Sequence, residues 1–478
     1  MTTKRLQFTD WLPDQPANAG SLNDAKNVYP VGIGYGAFPS EIDFSNSATE
    51  NLNSVFVAKF GANVEVFAGG ATKLFKLNTA TLALADVSKV GGYTGNGTWK
   101  FEQFGNIVLA CNDTQKIQAW TIGVSSAFAD VAAAAPVAKD IAVVRDFVFA
   151  GNIGTGTNPD KVQWSDINDE TDWTSGATSQ SDFQIIPDGG NVQAITGGEF
   201  GVILLEKSVV RASYVGSPLF FQFDTISSGL GCLEGNSVAR YGNITFFLSD
   251  DGWYSTDGQT VTNIGLEKVD RWFLSTVDLT NINTMSAAVD PVKNLVVWNY
   301  ADVDGNRRIL IYNWQLQKWS RAETTSDVVG TIATLGETLE SLGSSLGYTD
   351  IDTMPASLDS RLFIGGKFLF AGTKDDKIVT FTGESITPQL ITTDVEIGYN
   401  SVATLARPQI DNGTAQVAVA SRRELDDNIE FSAFVPATTE GRCSLRSAGR
   451  YHRFNVQPTG SWTTAMAVDV DVKPQGNR

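Results

Sequence analysis

Residues 236–265 read NSVARYGNITFFLSDDGWYSTDGQTVTNIG, and this stretch decides the fold. Ile244, Phe246 and Leu248 alternate with Thr245, Phe247 and Ser249, a period of two that predicts a half-buried strand. Asp250-Asp251-Gly252 turns the chain into a second strand over residues 253–256, and Asp257-Gly258 turns it back into a third over 259–264. Repeated Asp-Gly is a strong hairpin signal, because glycine supplies the positive φ that tight turns require. An antiparallel meander of about 30 residues cannot bury both of its faces alone, so it requires neighbours of its own kind.

Those neighbours are present. Meanders of the same shape begin near Val55 (VFVAKFGANVEVFAGGATKLFKL), Trp99, Ile141, Val192, Asn236 and Met285, with a late one near Arg361 (RLFIGGKFLFAGTKDDKIVTFTG). The first five steps are roughly 42 to 51 residues. A repeat of that length with three or four short strands per unit is the signature of propeller blades. No WD dipeptide or kelch double-glycine pattern recurs, so the units share shape rather than wording. The expected fold is all-β: a β-propeller-like array of about six to seven antiparallel meanders, with an additional C-terminal β-sheet domain, a platform or a sandwich.

Composition agrees. Glycine numbers 45, aromatic residues make 10% of the chain and charged residues only 18%, a profile of strands and turns rather than helices. The formal net charge is −18, and it is uneven. From residue 388 onward nine Lys or Arg face ten Asp or Glu, which leaves nearly all the excess negative charge before that point. Such a chain does not hold DNA by neutralising phosphates, although acidity also serves plain solubility. Cys111, Cys232 and Cys443 are odd in number and far apart, which predicts small buried thiols and a reducing compartment. The first residues, MTTKRLQFTD, lack the apolar core of a signal peptide, and no run approaches a membrane span.

In chain order, residues 1–45 carry Pro13, Pro16, Pro30 and Pro39 among glycines and apolar anchors, which predicts an extended strap over the next domain. Residues 46–387 form the propeller-like domain. Within it, residues 324–360 carry Val328, Val329, Ile332, Leu335 and Leu339 at helical steps, followed by a loop with Asp350, Asp352 and Asp359. That segment is expected to project as a helical arm or flap. Residues 388–478 form the separate C-terminal sheet, rich in arginine. Arg422, Arg423, Arg450 and Arg453 are the candidate subunit or adaptor contacts, against the plainer alternative of pairing with local carboxylates.

Catalytic chemistry is not legible. The sole histidine, His452, lies in no nucleophile motif and cannot hold a metal alone. No Walker loop, Gly-x-Gly-x-x-Gly or Cys-x-x-Cys occurs. The stretch 165–173, SDINDETDW, is acidic enough to consider for a cation but reads as an inter-strand loop. Ser249-Asp250-Asp251-Gly252-Trp253 is similar to the sialidase Asp-box, with its glycine one position early. No catalytic, metal or cofactor-binding residue is assigned, and no cofactor is expected.

Several phrases taken together carry a resemblance: WLPDQPANAGSLNDAKNVYPVGIGYGAFPS, WSDINDETDW, FFLSDDGWYSTDGQTVTNIG with VDRWF, ILIYNWQLQKWSRAE, TMPASLDSRLFIGG and the closing GRYHRFNV and AVDVDVKPQGNR. In this order, across nearly the whole chain, they resemble the tail tubular or nozzle proteins of short-tailed bacteriophages, also called packaged-DNA stabilisation proteins. The resemblance implies a structural virion subunit, assembled in the host cytoplasm. It implies a homo-oligomer, a six-fold ring below the portal and adaptor, that extends the DNA-ejection conduit and meets tail fibres or spikes. It brings no catalytic residues. The alternative is a host-surface propeller that binds or cleaves glycans with paired carboxylates.

Overall fold

The computed structural model describes residues 2–61, 63–79, 81–95, 97–333 and 368–475. Around Asn236 the expected meander is realised with one strand more. Ala239–Tyr241, Ile244–Leu248, Trp253–Thr256 and Val261–Asn263 pair in sequence order, with Leu248 opposite Trp253 and Thr245 opposite Thr256. Both Asp-Gly turns form. At the second, Gly258 has φ +80° and its Cα lies against the Phe200 ring, where a Cβ would sit 2.1 Å from a ring carbon. Any side chain there would meet both strain and a clash.

Six four-stranded sheets of this kind are present. Five follow the chain directly, starting at Leu52, Lys100, Ala138, Val192 and Ala239. A seventh meander, from Ser286 to Glu323, forms the end of a 14-stranded sheet. The remaining four-stranded sheet consists of Val328–Ala333, Phe368–Lys374, Lys377–Ser385 and, last, Pro39–Asp43 from the N-terminal segment. First strands lie innermost and pack on one another around the circuit, and Val328–Ala333 returns to Leu52–Phe60 to close it. The fold is a β-propeller with an additional C-terminal sheet.

The second strand of each blade departs from the half-buried expectation. Residues 245–248 are all buried, and Gly201–Leu205 and Phe147–Ile153 are buried throughout. A blade is covered on both faces by its neighbours, so its middle strands bury nearly every position rather than every second one, mostly with apolar residues. Phe246 and Leu248 pack with Trp253, Trp298 and Trp319 on one side, while Phe247 packs with Ala194 and Cys232 on the other. Trp253 and Trp298 stand 4.1 Å apart between ring centroids.

Two sequence expectations change. Val328, Val329 and Ile332 do not begin a helix: they lie on the inner strand of the closing blade, where Gly330 packs against Val55. Their three-and-four spacing comes from an irregular burial pattern, with Val329, Ile332 and Ala333 buried, which a short apolar run cannot distinguish from a helix. The late meander therefore starts at Val328 rather than Arg361, and residues 334–360 of the expected arm, with its aspartates, lie outside the described residues.

The N-terminal segment is extended, but it is woven into the sheets rather than laid over them. Thr2–Gln7 pairs with Thr464–Gln475 near the C-terminus. Asp24–Lys26 joins the outer strand Lys318–Glu323 of the seventh meander to Gln389–Ile391, and Val28–Val31 and Gly34–Ala37 form a hairpin against Thr464–Gln475. Asp14 caps the short helix Asp270–Thr276, accepting from the Arg271 and Trp272 amides at 2.9 and 2.8 Å. Propeller and C-terminal sheet consequently share one core, which runs from Phe246 and Trp298 through Phe8, Trp11 and Tyr35 to Val417, Phe454 and Val470.

Candidate functional site

The arginines singled out in the C-terminal sheet separate into two kinds. Arg422, at the end of Thr414–Arg422, and Arg453, on Cys443–Thr459, converge on Asp394. Arg453 forms two bonds to its carboxylate, at 3.1 and 2.7 Å, and Arg422 binds the same Oδ2. Side-chain exposure is 9% for Arg422, 11% for Arg453 and 1% for Asp394. These two are internal pairing groups. Arg423 is exposed, and Arg450 pairs with Glu396 at 2.7 Å on the surface.

His452 is fully buried between hydroxyls, with Nε2 2.8 Å from Ser401 Oγ and Nδ1 2.7 Å from Ser421 Oγ. Burial lowers its pKa. Since the folded pKa lies below the unfolded one, the unfolded chain binds the extra proton, and this contribution to stability is full above pH ~6.5 and declines as pH falls through that value. The wild type is expected to lose more stability than His452→Asn between pH 7.5 and 5.5, by at most ~1.4 kcal/mol per pH unit, measured as the difference in urea midpoints. Equal losses would show that the folded ring takes up its proton as readily as the unfolded one.

The other candidates serve as structure. Asp166 accepts from the Ile167 and Gln180 amides and Asp169 from Thr171, so SDINDETDW is held as a turn by its own carboxylates. Asp250 and Asp251 bond to Ser249 and Tyr254. All three thiols are buried, and burial pushes Cys443 up to about 11 and Cys232 up to about 12. Among the described residues no group of His, Cys, Asp or Glu is placed to hold a metal. No described helix is long and apolar enough to cross a membrane.

A polar cavity of about 360 Å3 opens instead at the centre of the ring. It is lined by Glu102, Ala142, Ile195, Thr196, Gly197, Arg240 and Gly242, contributed by the first strands of four consecutive blades and their turns. Arg240 is exposed into it. Its Nε donates to the Gly242 carbonyl at 2.9 Å, and its Nη2 lies over Gly198, 2.4 Å from where a Cβ would be. Gly198 has φ +114°, so both backbone and space at that turn require glycine. Thr196 and Thr245 share a hydrogen bond of 2.9 Å on the wall. Burial pushes the Glu102 carboxyl up to about 7, against the pull of the Arg240 charge. Behind it, buried Asp140 accepts from the Ile195 amide at 2.6 Å, and burial raises its pKa too.

Neither Glu102 nor Arg240 stands out in sequence. The available signal was the placement of Lys100, Glu102, Asp140 and Arg240 in the opening strands of blades whose next strands are mostly apolar.

No family model matches the chain, and no curated protein matches it. Among solved structures, the chain is similar to the computationally designed Ika8 protein, with 12% identity and a TM-score of 0.38 over 73% of this chain and 100% of that one. It is also similar to a chain of the mitotic checkpoint complex, with 11% identity and a TM-score of 0.39 over 73% and 94%. The Pan2 WD40 domain of Neurospora crassa shows 6% identity and a TM-score of 0.41 over 72% and 97%.

Proposed function

We propose that the protein is a non-enzymatic virion subunit of a short phage tail, forming a six-fold nozzle ring that continues the DNA-ejection conduit below the portal and adaptor. The reading is carried by the ordered set of segments, from WLPDQPANAGSLNDAKNVYP to AVDVDVKPQGNR, that resemble nozzle proteins along nearly the whole chain. Two features of the molecule support it. A closed ring of identical subunits needs two different surfaces on each. The excess negative charge lies before residue 388, whereas Arg423 and Arg446 are exposed on the C-terminal part. An acidic conduit wall repels phosphate and lets DNA pass without counterion release.

Electron microscopy of the concentrated protein is expected to show six-fold rings. Arg423→Glu with Arg446→Glu should weaken ring assembly while leaving the melting temperature of the subunit unchanged, since both side chains face solvent. The isolated protein should have no salt-sensitive affinity for duplex DNA at physiological ionic strength. A strictly monomeric protein at all concentrations, or tight DNA binding abolished by these two reversals, would remove this reading.

A further inference from the structure

We propose that the axial cavity is a binding site for a small zwitterion, a free α-amino acid, with Arg240 receiving the carboxylate and Glu102 the ammonium group. The proposal goes beyond a structural role and does not depend on it. Its basis is a pair of opposite charges that share one cavity without closing on each other. Glu102 and Arg240 each feel the other's charge, yet no ion pair or hydrogen bond joins them. Opposed groups of a purely structural pair would be expected to meet, because an approach to 3 Å satisfies both. Here the approach is prevented by the backbone. The Gly242 carbonyl fixes Arg240 through Nε, and the glycine at 198 admits Nη2 against the turn, which holds the guanidinium at the cavity wall apart from Glu102. A guanidinium fixed in this way suits a carboxylate, which accepts charge-assisted hydrogen bonds from it.

The other walls support the same ligand. Asp140 accepts from the Ile195 amide behind the wall, and Thr196 bonds to Thr245, so Glu102 is the acidic group that lines the cavity. Ala142 and Ile195 provide an apolar wall for a short side chain. The volume of about 360 Å3 is at the small end of ligand pockets and suits a small molecule. Because burial favours the protonated form of Glu102 in the empty site, an arriving ammonium group ionises it, and a proton leaves for solvent.

Isothermal titration at pH 7 with glycine, L-alanine and L-serine tests this, with propionate and methylamine as probes carrying one pole each. At least one amino acid is expected to bind saturably, and each single-pole probe at least about tenfold more weakly. Titration in two buffers of different ionisation enthalpy should show proton release. Arg240→Met and Glu102→Gln should each weaken binding about tenfold or more, and Glu102→Gln should abolish the proton release. Arg240 is exposed, so its variant keeps the question answerable even if Glu102→Gln fails to fold. Absence of saturable binding by all three amino acids at 20 mM (about 2 kcal/mol of binding free energy), equal binding of propionate and alanine, or variants that bind as the wild type does would each overturn the proposal.

Discussion

Asp394→Ala is expected to cost about 3–5 kcal/mol of folding stability, because it strands two buried guanidinium groups without the carboxylate they share. Asp394 is 1% exposed and Arg422 and Arg453 about a tenth, so water cannot replace the lost partner. The three side chains come from different strands or strand ends of the C-terminal sheet, and the Asp394 amide also bonds to the Ala17 carbonyl of the N-terminal segment. Loss at this point therefore loosens more than one sheet edge. Arg422→Glu should be at least as damaging, since it places a second carboxylate against a buried one. Sequence alone offers Arg422 and Arg423 alike as surface contact residues. Only Arg423 fits that description, and Arg423→Glu by itself should change stability by no more than about 0.5 kcal/mol. Urea unfolding of the single variants measures both. A loss below about 1 kcal/mol for Asp394→Ala would mean that solvent reaches the pair and that its attraction is screened to surface values.

The contrast between Arg422 and Arg423 shows where sequence reading stops. Alternation and Asp-Gly turns are local, so the meander around Phe246 and its repeats could be read directly from residues 236–265. Burial of a charge is not local. Arg422 is buried because Asp394, 28 positions away, lies across from it, and nothing near Arg422 announces that partner. The inner strand Val328–Ala333 failed for a related reason. Its pairing partner Phe368–Lys374 lies beyond a long intervening stretch, and the strand's irregular apolar pattern fits a helix equally well. Glu102 and Arg240 are brought together only when the ring closes, 138 positions apart in sequence order and three blades apart in the circuit. Ring-level geometry of this kind leaves only an indirect trace, a charge in the opening strand just before a mostly apolar one.

Removing residues 1–43 should abolish cooperative folding, the largest effect expected for any change at the termini. A strap lying on the surface could be cut away at modest cost, but this segment holds Leu6, Phe8, Trp11, Leu22, Val28, Tyr35 and Phe38 inside the core. At roughly 1.5–3 kcal/mol for each buried apolar side chain, their burial matches or exceeds the ~5–15 kcal/mol by which a whole domain is stable. The truncation also deletes the outermost strand of the closing blade, leaving Lys377–Ser385 as a bare edge and freeing Arg321 from its two bonds to Asp24 at 2.8 and 2.7 Å. A finer cut isolates the closure itself. Glu41 accepts hydrogen bonds from the Thr324 and Thr325 hydroxyls and from the Thr325 and Ser326 amides, so one carboxylate ties the N-terminal strand to the turn that enters the last blade. Burial would raise its pKa, but these donors outweigh it and hold the carboxyl below its ordinary value, so its contribution is present at neutral pH and declines as pH falls below ~4.3. Glu41→Ala should cost about 2–3 kcal/mol at pH 7, and Glu41→Gln less because the amide oxygen retains part of the acceptance. Scanning calorimetry of the four proteins orders them: wild type above Glu41→Gln, then Glu41→Ala, with no cooperative transition for the truncated chain. A truncated protein that melts cooperatively near the wild-type temperature would show that the ring closes without its N-terminal strand.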